Sequence, residues 1–191
     1  AQEALENAHR RLHSMEVLYE RLYRSGGITR MSLLGYLSSL IEQILQLNAP
    51  DPELNLVSDF VDAELDVHTL SVLGMIINEL VTNALKHAFP AGAESGQKRI
   101  SLRAKIENAG TLVLEYQDTG RGIPREVLSG EHSGLGMVLI RSLTDQLDGT
   151  FETREPRESR EAQEALEPRG GAAGTHLVFR IPLRDNGKNE T

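Results

Sequence analysis

Residues 69–88 read as one long helix with two unlike faces. Leu73, Ile77, Leu80, Val81, Ala84, Leu85 and Ala88 recur at i, i+3, i+4 and i+7, the spacing of a buried stripe, and Pro90 and Gly92 end the run. On a neighbouring stripe Glu79, Asn83 and Lys86 stand at i, i+4 and i+7. Such a helix needs a second layer to cover it. The rest of the pattern supplies one. Residues 54–60 and 61–67 alternate weakly and predict short strands, and 98–106 and 111–118 predict a hairpin turning at Asn108-Ala109-Gly110. A helix at 135–148, a strand at 149–154, a charged solvated connection and a last strand at 175–183 follow. The expected fold is a two-layer α/β sandwich, a mixed and mostly antiparallel sheet with helices on one face.

In front stands a helical hairpin. Leu5, Ala8, Leu12, Met15, Tyr19 and Leu22 give residues 1–24 a heptad-like seam, and Ser25-Gly26-Gly27 stops the helix. Leu33, Leu37, Leu40, Ile44 and Leu47 repeat the spacing over 32–47. The hairpin alone would leave its stripe half covered, which predicts a homodimer through it; packing of both helices on the following domain is the alternative. Asn48-Ala49-Pro50-Asp51-Pro52 marks a boundary, giving a unit at 1–48 and a second at 49–191.

Charge and composition narrow the functions. Twenty Lys and Arg against twenty-eight Asp and Glu leave a net charge of −8, which argues against a nucleic-acid partner. There is no Cys, so thiolate metal sites and Cys nucleophiles are excluded. No apolar run reaches the roughly 20 residues of a membrane span, so no membrane contact is expected from this segment. The chain starts at Ala1, which reads as a fragment, and a cytoplasmic protein, or the cytoplasmic part of a larger sensor, fits.

Three motifs carry chemistry. In Asn78-Glu79-Leu80-Val81-Thr82-Asn83-Ala84-Leu85-Lys86-His87, an acid, an amide and an ammonium share a face and suit a hydrated Mg2+ with phosphates around it; a solvated polar helix face is the alternative. Asp118-Thr119-Gly120-Arg121-Gly122-Ile123-Pro124 ends an apolar strand, where Gly lets backbone approach a flat ligand and a carboxylate accepts from an exocyclic amine; an ordinary strand-end turn is the alternative. Ser133-Gly134-Leu135-Gly136-Met137 opens a helix whose free N–H groups can seat phosphate; a cap formed by Ser133 is the alternative. Gly174-Thr175 opens the last strand and could close the site.

In this order and spacing, from Asn78 to Thr175, the motifs resemble the ATP-binding domain (Bergerat-type fold) of the gyrase–Hsp90–histidine kinase–MutL superfamily, and more specifically a sensor histidine kinase. His13-Ser14-Met15 through Tyr19-Glu20-Arg21-Leu22-Tyr23 is similar to the second dimerisation helix of a subgroup with a His-Arg-rich phosphoacceptor motif. The resemblance implies ATP and Mg2+ as cofactors, with Asn83 as metal ligand. It implies that Asp118 reads the adenine amine, supported by Thr175, and that Gly120, Gly122 and Ile123 shape the adenine pocket. Gly134, Leu135 and Gly136 would cradle phosphate, with Lys86 and His87 nearby, and Glu79 would polarise or orient the acceptor. It implies a protein-histidine kinase that phosphorylates a His and passes the group to a response-regulator Asp. A serine kinase of the anti-sigma-factor type and a non-catalytic nucleotide-binding scaffold are the alternatives. The acceptor His is expected on a helix before residue 1, so incubation with radiolabelled ATP should leave His9 and His13 unlabelled. Acid-labile, alkali-stable label on either would overturn that placement.

Overall fold

The computed structural model describes residues 30–48, 52–89, 98–107, 110–124, 135–154 and 174–183. The helix expected over 1–24, most of the charged connection, the polar tail and Gly134 lie outside the described residues. Strand β1 (Arg30–Ser32) runs into α1 (Leu33–Asn48), and β2 (Asn55–Phe60) and β3 (Glu64–Asp66) lead into α2 (Val67–Asn83). Then come the β4–β5 pair (Arg99–Glu107, Thr111–Asp118), α3 (Leu135–Gln146), β6 (Thr150–Thr153) and β7 (Thr175–Pro182).

Among the described residues five strands form the sheet, in the order β2-β4-β5-β7-β6. Only β2 and β4 run parallel; the other pairs are antiparallel, as expected. Strand alternation sends Ile100, Leu102, Leu112, Leu114, Leu177 and Phe179 into the core, where they are buried with the inward faces of the helices. The other face carries charge: Arg103 pairs with Asp59 at 3.1 Å, and Glu107 with Lys105 at 2.9 Å and Arg180 at 2.8 Å. These exposed pairs contribute little to stability individually. The core sits between sheet and helices, which is the two-layer sandwich.

Helix α2 begins where the sequence lets it. Asp66 is its N-cap, accepting from the Thr69 amide at 2.8 Å and the Thr69 hydroxyl at 2.7 Å. Burial works to raise the Asp66 carboxyl, but the hydrogen bonds from Thr69 help outweigh it and hold the group below its usual value. The helix was expected to run unbroken to 88. It changes instead to a π-turn over Ala84–Ala88, just past Asn83.

Two expectations at the amino-terminal side need correction. The second weak strand shrinks to β3 and leaves the main sheet to pair with β1, Met31 opposite Leu65. The apolar seam of 32–47 is also used up inside the chain. Leu33, Leu37, Leu40, Ile41 and Ile44 are buried, and α1 packs on α2. Leu33 and Leu40 are therefore not free to line a partner's seam. Leu47 remains outside, 72% exposed.

Tyr36 fixes the contact between the two helices. A Cβ on Gly74 of α2 would lie 2.5 Å from the Tyr36 hydroxyl oxygen, so only Gly admits the ring there. That hydroxyl is buried without a hydrogen-bond partner among the described residues, and burial pushes it well above its ordinary pKa. Tyr36→Phe should therefore raise stability by about 1 kcal/mol, and Gly74→Ala should lower it by about 1–3 kcal/mol. Urea denaturation of both variants checks this; a destabilised Tyr36→Phe would show that the hydroxyl has a partner after all.

Candidate functional site

The carboxyl end of β5, the end of α2, the start of α3 and the start of β7 meet at one edge of the sandwich. Three close backbone approaches join them. A Cβ on Gly120 would lie 2.6 Å from the carbonyl oxygen of Ala88, at the end of the π-turn, and Arg121 donates its amide to that same oxygen at 3.0 Å. Gly122, at φ 78°, backs onto Gly174, whose carbonyl oxygen would be 3.0 Å from an added Cβ. A Cβ on Gly136 would meet the Asn83 Nδ2 at 2.8 Å and the Glu79 Oε2 at 3.4 Å. The first turn of α3 thus sits directly over the polar stripe of α2.

Asp118 ends β5, with Thr175 opposite it on β7 and Ile100 on β4. Its side chain is 4% exposed. Oδ1 accepts from the Gly120 amide at 2.8 Å, and Oδ2 accepts from the Tyr116 hydroxyl at 2.8 Å. A buried carboxylate tolerates its charge because donors of this kind compensate it. Burial first, then the charge of Asp118 and the hydrogen bond to it, push the Tyr116 hydroxyl well above its ordinary pKa. It stays a donor throughout the range in which proteins fold.

The sequence-derived residues fall into place unevenly. Glu79 is buried at 2% exposure on α2, and Asn83 is half-buried one turn on. Lys86 and His87 ride on the π-turn and are exposed. Ile123 is half-buried against the hydrophobic core, and Thr175 is buried. Leu135 begins α3. Sequence reasoning missed Tyr116. The signal was available: residues i and i+2 of a strand share a face, and a buried tyrosine hydroxyl needs a partner.

Mg2+ can be tested against this arrangement. Glu79 and Asn83 present carboxylate and amide oxygens around the space that a side chain at 136 would fill. Hard oxygen donors in a small number suit Mg2+, which keeps most of its waters and takes the rest of its ligands from phosphate. Among the described residues no group of three His, Cys, Asp or Glu could hold a metal ion by itself. One carboxylate and one amide are compatible with a hydrated Mg2+ that takes its remaining ligands from phosphate.

The family model described as "Histidine kinase-, DNA gyrase B-, and HSP90-like ATPase" matches residues 70–185, and one described as "Histidine kinase" matches residues 1–48. Blue-light-activated histidine kinase 2 of Erythrobacter litoralis (strain HTCC2594) is 28% identical over 181 residues, 91% of this chain and 46% of that protein. Sensor histidine kinase PdtaS of Mycolicibacterium smegmatis is 27% identical over 186 residues, 96% of this chain and 33% of that protein. The chain thus spans less than half the length of these relatives. In fold it is similar to the histidine kinase domain of the Erythrobacter litoralis blue-light activated histidine kinase EL346. The TM-score is 0.73 at 21% identity, over 95% of this chain and 82% of that one. Among the described residues no helix is long and apolar enough to cross a membrane.

Two of the three glycine contacts predict different behaviour. The added methyl of Gly120→Ala would press on backbone, so its melting temperature should fall by about 3–10 °C. Gly136→Ala meets the movable end of the Asn83 side chain and should shift melting by less than about 3 °C. Thermal unfolding of the two variants checks the pair; equal shifts would contradict the assignment of rigid and yielding neighbours.

Proposed function

The chain belongs to the histidine kinase-, DNA gyrase B- and HSP90-like ATPases, and from that premise we propose that it is the catalytic part of an ATP-dependent protein-histidine kinase. The observation that carries the reading is the seating of Gly136 on Asn83 and Glu79, which brings a helix N-terminus to an amide and a carboxylate. In this reading residues 49–191 form the nucleotide unit. Residues 1–48 are the helical hairpin, a partial dimerisation and histidine-phosphotransfer domain, with α1 packed on α2 of the nucleotide unit.

Each residue has a bounded task. Asp118, held at both oxygens, accepts from the 6-amino group of adenine, with Thr175 opposite it in the sheet. The approach of Gly120 to Ala88 and of Gly122 to Gly174 gives the base a wall of backbone in place of side chains, with Ile123 beside it. Gly134, Leu135 and Gly136 offer amide donors to phosphate, Lys86 adds positive charge at the rim, and His87 lies beside it near the phosphates. Bound through Asn83, Mg2+ would neutralise phosphate charge as it is transferred. An acceptor histidine of the full-length protein attacks the γ-phosphorus: a nitrogen–phosphorus bond forms, the bond from phosphorus to the β–γ bridging oxygen breaks, and ADP leaves. Glu79 orients the imidazole. Catalysis of this kind is mainly positioning and charge compensation, so few reactive side chains are needed. The phosphoryl group then passes to an aspartate of a response regulator, and the protein works as a homodimer in the cytoplasm.

ATP or ADP with Mg2+ should raise the melting temperature of the chain, by about 2.7 kcal/mol of added stability at a hundred times Kd, and GTP should do much less. Asn83→Ala should remove the metal dependence of binding. Asp118→Asn should weaken binding by about 1–3 kcal/mol with or without EDTA. Titration calorimetry separates the two. Equal stabilisation by GTP, or the same metal dependence in both variants, would contradict the assigned roles.

A further inference from the structure

Tyr116 and Asp118 occupy alternate positions of β5 and so share the face that looks toward the helices. Both are almost wholly buried, Tyr116 at 2% exposure. A tyrosine hydroxyl has one proton to give, and here it goes to Oδ2 of Asp118 while the Gly120 amide takes Oδ1. The carboxylate lies where the strand stops and the glycine loop begins, so neighbouring strand side chains alone would leave it free to turn. Two donors, one from within the strand and one from beyond it, hold both oxygens. Each oxygen keeps a further lone pair for a ligand.

We propose that Tyr116 is the positioning residue that fixes the Asp118 carboxylate and so sets the preference of the site for a purine carrying an amino group at position 6. The inference rests on the nucleotide reading above. A 6-amino group offers the fixed oxygens a donor; a 6-oxo group offers them another acceptor. Discrimination between the two depends on the carboxylate staying where it is, because one that can turn aside loses the donor and escapes the clash alike. Tyr116 touches no part of the ligand in this account. It acts only through Asp118, and its donor is dependable because burial and the neighbouring charge keep it protonated.

The test uses the full chain with Tyr116→Phe, and the probes are ATP and ITP, each with Mg2+, measured by titration calorimetry. Wild-type protein should prefer ATP. The variant should bind ATP about three- to tenfold more weakly, the factor expected for one lost hydrogen bond, while its affinity for ITP holds or rises. The ratio of affinities is the readout, because any unfolded fraction lowers both alike and leaves the ratio untouched. Tyr116→Leu also lacks the hydroxyl but packs differently, and it should shrink the ratio by the same factor. An unchanged ratio in both variants, with wild type preferring ATP, would overturn the role of Tyr116 and leave the nucleotide reading standing. Wild-type protein that binds neither nucleotide would remove both.

Discussion

The backbone of Gly120 lies against Ala88 so closely that no methyl group fits between them. This contact ties the loop after β5 to the far end of α2, and the rest of the site follows from it. With the loop fixed there, the Gly120 amide meets the Asp118 carboxylate, the Arg121 amide meets the Ala88 carbonyl, and Gly122 falls against Gly174. The π-turn over Ala84–Ala88 belongs to the same arrangement. It presents the Ala88 carbonyl to the loop while Lys86 and His87 remain exposed. Local departures from regular helix geometry of this kind are common where a helix end serves a site.

The layers explain why the site sits at an edge. Each helix buries one stripe against the sheet and each core strand buries alternate residues, so polar side chains can collect only where strands and helices end. Glu79 and Asn83 escape to that edge because they lie on the flank of the α2 stripe. Asp118 reaches it because it is the last residue of β5. The first turn of α3 closes over them, anchored by Met137, Ile140 and Leu143 in the core. Helix α1 takes no part in the site directly, but it braces α2 through Tyr36 at Gly74, one turn before Asn78 and Glu79.

Much of this was readable in the sequence wherever the signal is local. The stripe of α2, the β4–β5 hairpin and the last strand follow from periodicity alone, and the glycine motifs mark where backbones approach. What was not readable depends on distant partners. Strand β1 has three residues, too few to alternate, and exists because β3 pairs with it. The expected seam on 32–47 is real, but sequence spacing cannot say whether a second copy or α2 covers it; among the described residues α2 does. The partnership of Asp118 with Thr175 came from the resemblance and not from periodicity, because it spans the long charged connection, and the hold of Tyr116 on Asp118 needs both side-chain directions at once. The expectations for Gly134 and for residues 1–24 concern residues outside those described.

The central claim is that the ends of β5, α2, α3 and β7 form one adenine-nucleotide site. An amide NMR titration of the chain with Mg·ADP tests it most directly. The largest shifts should fall together on Asn83, Ala88, Gly120, Gly122, Gly136 and Thr175, with the charged sheet face around Arg103 and Glu107 unmoved. Shifts centred on that sheet face, or none at the four element ends at saturating nucleotide, would contradict it.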